Sequence, residues 1–536
     1  MKDPIELEVW RHLLAAVTEE MGAVLTRSAF SPNIKERRDL SCALFSPDGE
    51  MAAHAAHIPV HLGSTPLAVR AVLEALSLCP GDIALVNDPY QGGTHLPDLT
   101  VVAPVHYSGP GIGGADAGND GNRLLGYVVN RAHHADVGGK AAGSMALCRH
   151  IDEEGVRLPP ILVVSRGETL GGVLQERLYR HVRTPQEREG DLSAQLASCR
   201  AGSRRLAELA DLHGTETLEA AMLGLTSHAE RMMRAVLGSL PDGRYEAEDV
   251  LDDDGLETRD ILIRVAITIE GDQATIDFSG SSPQVEGPLN AVRAVTVSAT
   301  LYALRCIAPE EVPASTGLLR PVRILTPERS VVNAAYPAPV AGGNVETSQR
   351  IVDVLLAALS EVLPDTIPAS SQGTMNNVAL GGLEPKPWAY YETLGGGTGG
   401  GPGFHGESAI HSHMTNTLNT PVEALEHACP IEVAYFRIRR GSGGSGIWRG
   451  GDGLERAYRL PTSTEVTLLS ERRRHPPPGL AGGGPGAPGE NLLIRQGTPL
   501  ALPGKATFKA RAGDALVVRT PGGGGFSVQK QSSRSS

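Results

Sequence analysis

Several things are scarce in this 536-residue chain, and each shortage closes off a class of function. Cationic excess is missing: 48 Lys and Arg stand against 61 Asp and Glu, and the formal net charge of -13 repels a phosphate backbone, so no nucleic acid partner is expected. The dense basic run Arg472-Arg473-Arg474-His475 leads straight into prolines and glycines. No apolar run approaches the roughly 20 residues needed to cross a bilayer. The start, Met1-Lys2-Asp3-Pro4-Ile5-Glu6, also lacks the apolar segment of a signal peptide, so no membrane partner and a cytoplasmic setting are expected. The six cysteines form no Cys-x-x-Cys pair, which removes a disulfide scaffold or zinc knuckle from consideration. They read as buried small hydrophobes, with a reactive thiol at Cys42 or Cys429 as the alternative. Neither Gly138-Gly139-Lys140-Ala141 nor Gly504-Lys505-Ala506 completes a phosphate loop, and Gly395 to Gly403 matches Gly-x-Gly-x-x-Gly without the strand and helix such a site needs.

What is present is apolar residue in globular proportion, 41%, and 64 glycines, which together predict a large body rich in loops. The expected fold class is mixed α/β (α+β): a large multi-layer body with a glycine-rich, β-rich C-terminal region. Apolar spacing predicts helices over 5–28, from Thr65-Pro66 to about Leu78, over Asp191 to Leu240 with a break near His213-Gly214, and from Ile351 to Leu363. Ile261, Ile263, Val265, Ile267 and Ile269 alternate as in a strand, and Glu270-Gly271-Asp272 turns it into a hairpin. The region 111–122 reads as a surface insertion between strands. The predicted organisation is an N-terminal α/β region at 1–240, a central region with polar substrate loops at 241–440, a β-rich region at 441–526 and a disordered tail at 527–536.

The chemistry concentrates in two blocks, Asn87 to Asp98 and Arg131 to Gly139, each containing His-x-x-Asp and each following an apolar run, Ile83 to Val86 and Leu124 to Val129. Both should sit in loops at strand ends, where ligands converge. His95, Asp98, His133 and His134 are the candidate metal ligands. Imidazole with carboxylate suits manganese, zinc or iron better than calcium. Gly92, Gly93, Gly138 and Gly139 would let the backbone approach the ion. A single such cluster could equally be turn chemistry, whereas two after strands favour a divalent metal. His57 and His61 flank a proline before a helix, and His413, Thr415 and Asn416 lie in a polar stretch; these are candidate substrate-binding residues.

Ser31 to Asp39, His57-Ile58-Pro59-Val60-His61-Leu62-Gly63, the two metal blocks, Asn344 to Arg350, His413-Met414-Thr415-Asn416-Thr417, Pro421-Val422-Glu423, Trp448 to Gly453 and Thr520 to Gly525 together resemble the hydantoinase B/oxoprolinase family. The resemblance runs through nearly the whole chain. It implies the B half of an ATP-dependent hydantoinase or 5-oxoprolinase: an A-type partner subunit would bind ATP and phosphorylate a small cyclic amide, and the B chain would complete the reaction within a hetero-oligomer. It also implies that His95, Asp98 and one of His133 or His134 hold a metal ion, as in the related acetone carboxylase subunit, with Asp136 a fourth ligand or an orienting partner. The chain begins directly with B-type sequence, so a separate subunit is expected. On this reading water activated at the metal opens the ring at its C–N bond, with Asp136 or Glu346 as general base. The competing readings are a metal-dependent carboxylase subunit of the acetone carboxylase type and a non-catalytic scaffold.

Overall fold

Leu7, Trp10, Leu14, Val17, Met21 and Leu25 recur at helical spacing and are all buried, so Pro4–Ser28 forms one long helix whose apolar stripe is used along its length. The computed structural model describes residues 4–109 and 122–527. The helix packs along a second one, Pro185–His213, and both lie against the first sheet. That sheet has seven antiparallel strands in the order β2-β1-β5-β4-β3-β6-β7, with β1 Leu40–Phe45, β2 Met51–His54, β3 Ile83–Val86, β4 Asp98–Tyr107, β5 Arg123–His133, β6 Ile161–Ser165 and β7 Glu168–Thr169. Its faces are covered on both sides. Cys42, Leu44, Leu99 and Val101 join the core under the two long helices, while Ala43, Phe45, Val102 and Val129 join a second core under Thr65–Ala75 and Thr215–Gly238. Double coverage explains why β1 and β3 are apolar and buried without alternation.

The remaining chain adds three sheets. β8 (Gly243–Asp253), β9 (Arg259–Glu270), β10 (Gln273–Asp277) and β11 (Val322–Leu325) form the second, with the helix Ser348–Leu359 packed on β8 and β9. The third joins β12 (Asn377–Gly382) and β13 (Trp388–Glu392) to β16 (Thr464–Leu469) and β19 (Lys505–Ala510). The fourth runs β14-β15-β20-β17-β18, from Glu432–Arg439 through Gly453–Arg459, Ala515–Arg519 and Glu490–Arg495 to Thr498–Leu502.

This is the mixed α+β architecture expected, with the predicted helices and the 261–269 hairpin in place; the break at His213 falls where Gly214 adopts φ +84. The division expected at 440 runs through two sheets, because β12 pairs with β16 and β14 with β15, so residues 441–526 do not complete their own layers. One apolar core reaches from Leu7 to Leu469. Among residues 111–122 all but Asn122 lie outside the described residues, as does the tail from 528 onward. Among the described residues no helix is long and apolar enough to cross a membrane.

Candidate metal centre

The register of the first sheet builds the site. β4 begins at Asp98 and β5 ends at His133, and these two are cross-strand partners, so an acid and an imidazole separated by a long excursion of chain meet at one sheet end. His95 comes from the loop just before β4. That loop is fastened by Asn87, whose Nδ2 donates to the carbonyls of Leu96 (2.7 Å) and Val156 (2.9 Å) and whose Oδ1 accepts from Leu158 N (2.6 Å). Asp88 caps its 3-10 turn through Tyr90 N (3.0 Å) and accepts from Arg157 (2.9 Å).

Asp98 Oδ1 lies 3.2 Å from His95 Nε2 and 3.3 Å from His133 Nδ1, and Asp98 Oδ2 lies 3.4 Å from His61 Nε2. Thr94 Oγ1 donates to Asp98 Oδ2 (2.6 Å), and Ser41 Oγ sits 2.9 Å from His61 Nδ1. His95, Asp98 and His133 each offer one ligand atom within 4.8 Å of the others, and all three are buried. Yet His95 Nδ1 and Nε2, Asp98 Oδ1 and His133 Nε2 make no hydrogen bond. Buried polar atoms left unpaired are costly, on the order of 1–3 kcal/mol each, and one ligand atom from each of the three residues, all within 4.8 Å of one another, fits a divalent cation. Burial pushes the Asp98 carboxyl up, but the facing imidazoles of His95, His61 and His133 outweigh it and hold it well below the usual carboxylate range. Burial likewise lowers His133. An ionised carboxylate and neutral imidazole are the forms that bind metal.

Around this cluster is a small buried cavity with about 20 Å³ open to the centre of a water molecule, walled by Asp39, Ile58, Asn344, Tyr391, Thr415 and Thr417 among others. Tyr391 stacks on His133 (4.6 Å between ring centroids, 17° between planes), and its hydroxyl donates to Asn377 Oδ1 (2.7 Å). The buried Arg37 donates to the Tyr391 carbonyl and to Thr393 Oγ1, each at 3.0 Å. Tyr391 lies in β13, a short strand with no motif around it, so nothing in the local sequence pointed to it.

The other candidate residues go elsewhere. His134 follows the end of β5 and turns to the opposite side, with Nε2 2.9 Å from Gln195 Oε1; it is outside the ligand cluster. Asp136 spends Oδ1 on Arg183 (2.7 Å) and Oδ2 on the backbone N–H of Arg183 (2.9 Å) and Gly138 (3.2 Å), which leaves no oxygen free for a metal or a proton. Glu346 sits in a π-helical turn, Gly343–Thr347, and accepts from Met375 N (3.0 Å) and Asn377 Nδ2 (2.6 Å). Its neighbours Asn344 and Val345 line the cavity, but Glu346 does not. Of the substrate-binding candidates, His61 and Thr415 line the metal cavity, whereas His57 and Asn416 line a larger outer one. His413 lies behind the wall, 3.5 Å from Tyr302 Oη and 3.8 Å from Asp353 Oδ1. The glycines shape the loops rather than approach an ion: Gly92 abuts the Leu67 carbonyl and Gly139 that of Glu154. Burial raises the thiols of Cys42 and Cys429, the latter to about 12, which removes the reactive-thiol alternative.

The family profile described as Hydantoinase B/oxoprolinase matches residues 3–528. The chain is 39% identical over 532 residues to an uncharacterized protein of Methanocaldococcus jannaschii, covering 98% of this chain and 90% of that one. It is 39% identical to 5-oxoprolinase 1 of Arabidopsis thaliana, covering 98% of this chain but 42% of that longer protein. It is 37% identical to the 5-oxoprolinase of Dictyostelium discoideum, covering 98% of this chain and 40% of that one, so the chain spans less than half the length of both oxoprolinases. Among solved structures, the ATP-dependent caprolactamase of Pseudomonas jessenii superposes with a TM-score of 0.88 at 27% identity, covering 98% of this chain and 91% of that one. An acetone carboxylase superposes with a TM-score of 0.84 over 98% and 76%, and at 19% identity it shows a shared fold alone.

Proposed function

Because the chain belongs to the hydantoinase B/oxoprolinase family, we propose that it is the B-type subunit of an ATP-dependent cyclic-amide hydrolase of the 5-oxoprolinase and hydantoinase type. An A-type partner would phosphorylate the carbonyl oxygen of the ring, and this chain would open the ring at its C–N bond. The observation that carries the reading is the cluster of unpaired, buried ligand atoms on His95, Asp98 and His133. A scaffold has no use for such atoms. These three residues would hold a divalent ion, which when bound supplies Lewis acidity and a lowered pKa for water.

The rest is done by the chain itself. Thr94 fixes the Asp98 carboxylate by donating to Oδ2, and the Tyr391 ring fixes the plane of His133. Asp39, which faces Arg37 at 3.8 Å, is the carboxylate besides Asp98 on the cavity wall and would take a proton from the attacking water. Water adds to the activated carbon, the ring nitrogen leaves with a proton, and a second water releases phosphate from the acyl phosphate that remains. The buried wall excludes other water from the activated carbon until the ring is seated. Asp136 is held by Arg183 outside the cavity, whereas Glu346 accepts at Oε1 and keeps a buried, unpaired Oε2, so of these two acids Glu346 alone retains an oxygen for a proton.

The test is metal analysis of the purified chain beside His95→Ala and Asp98→Ala, followed by ATP-dependent opening of 5-oxoproline, hydantoin and larger lactams with the A-type partner co-expressed. Near-stoichiometric metal in the wild type, lost in both variants together with ring opening, is expected. Full ring opening by metal-free protein would overturn the reading.

A further inference from the structure

The metal cavity is too small for its proposed substrate. Its volume of about 20 Å³ for a water centre exceeds the roughly 10–15 Å³ one water needs only slightly, so it takes an ion or a water and no ring. A wall therefore has to move. One wall is shared with a larger outer space. A second cavity, about 520 Å³ by the same measure and open to solvent, lies immediately outside. Three chain segments face both. Asp39 lines the inner cavity and Leu40 the outer; Thr415 and Thr417 line the inner, and Asn416 and Leu418 the outer. Ile58 lines both, so the two spaces are one residue apart.

We propose that the outer cavity is the docking site through which the oxyanion-bearing, activated substrate reaches the metal centre, with Ile58 as the gate. This deepens the hydrolase reading and rests on it. Leu40 is paired with Ala132 of β5, and Leu418 N donates to the Arg37 carbonyl (2.9 Å), so those two parts of the wall are stitched. Ile58 stands just before the single helical turn Pro59–Leu62, where its carbonyl accepts from His61 N (3.1 Å) while its buried side chain is held by packing alone. Its movement breaks no strand pairing.

The outer cavity also has the charge for an anion. Arg27 and Arg38 line it, both are exposed, and neither guanidinium has an ion-pair or hydrogen-bond partner among the described residues. Planar guanidinia with free donors match phosphate and carboxylate oxygens. The acid on that wall, Glu19, is engaged: Oε1 accepts from Ala56 N (3.2 Å) and Oε2 lies 3.9 Å from His57 Nε2. His57 in turn accepts from Cys42 N (3.2 Å) and lies against Gly22, where a Cβ would strike its ring. Asn416 adds an exposed amide. His57 and Asn416 thus belong to the docking stage and His61 and Thr415 to the inner stage.

The experiment follows loss of Mn²⁺ from the loaded full-length chain to excess EDTA, and binding of inorganic phosphate to the metal-free chain by equilibrium dialysis. Ile58→Ala should speed Mn²⁺ loss about tenfold, the change that ~1.4 kcal/mol off an opening barrier gives. Ile58→Val should speed it less and Ile58→Trp should slow it, each with equilibrium Mn²⁺ content unchanged. The Arg27→Glu/Arg38→Glu pair should weaken phosphate binding about tenfold or more while leaving Mn²⁺ content intact. Wild-type rates in all three Ile58 variants would overturn the gate, and unchanged phosphate binding in the charge-reversed pair would overturn the docking site. A wild-type chain that takes up no Mn²⁺ would instead sink the metal-centre reading itself, and the gate with it.

Discussion

The loops at 87–98 and 131–139 carry the same His-x-x-Asp pattern after an apolar strand, but Asp98 faces three imidazoles while Asp136 faces a guanidinium. Asp98 Oδ1 is left without a hydrogen-bond donor, and both oxygens of Asp136 have one. The unsatisfied acid is the one suited to a ligand, and the satisfied one pins a turn. What separates them is Arg183, supplied by the chain just before the helix Pro185–His213. Residue type at a given spacing therefore marks where a buried acid can be, and the charge brought against it decides what it does.

The sharpest way to break this contrast is to exchange its members. Asp98→Ala should abolish stoichiometric metal uptake, and His95→Ala and His133→Ala should do the same, whereas Asp136→Asn should keep it; elemental analysis that found metal lost in Asp136→Asn would erase the distinction. Asp136→Asn should instead cost about 3 kcal/mol of stability, the lower end for breaking a buried pair because Arg183 is partly exposed. Denaturant titration reads that directly. Tyr391→Leu removes the ring stacked on His133 and should weaken metal affinity about 10- to 100-fold, with Tyr391→Phe nearer the wild type; equal effects from both would place the role in the hydroxyl rather than the stack.

The smallest expected effect concerns a third buried acid. Burial raises Glu346 to about 7. An acid whose folded pKa is raised stabilises the fold in its protonated form. That contribution is full below the ordinary carboxyl value of about 4.5 and is lost as pH climbs through about 7. Glu346→Gln should flatten the fall in stability across that window. An unchanged pH slope in the variant would overturn the raised pKa of Glu346.

Much of the site was legible from residue order. His95 and Asp98 precede a strand, His133 ends another, and apolar runs before both loops located the strands. His134 was inseparable from His133 in sequence, because adjacent residues at a strand end point to opposite sides and only the packing says which faces inward. Tyr391 and Asn377 carried no local signal: they come together from β13 and β12, neighbouring strands of the third sheet. Two sheets cross the boundary drawn at 440 for a related reason. Strand pairing is non-local, and β12 and β16 have no sequence mark that says they are neighbours.

By itself the sequence determined the periodic helices, the alternating strand at 261–269, the anionic and glycine-rich character of the chain, and the residue types able to hold a metal, because these depend on spacing and chemistry along the chain. Only the tertiary structure decided which histidine joined His95 and Asp98, which acid was neutralised by Arg183, and that Ile58 lines both the metal cavity and the larger outer one. Those outcomes depend on which groups distant segments bring into contact, and burial makes each such meeting count.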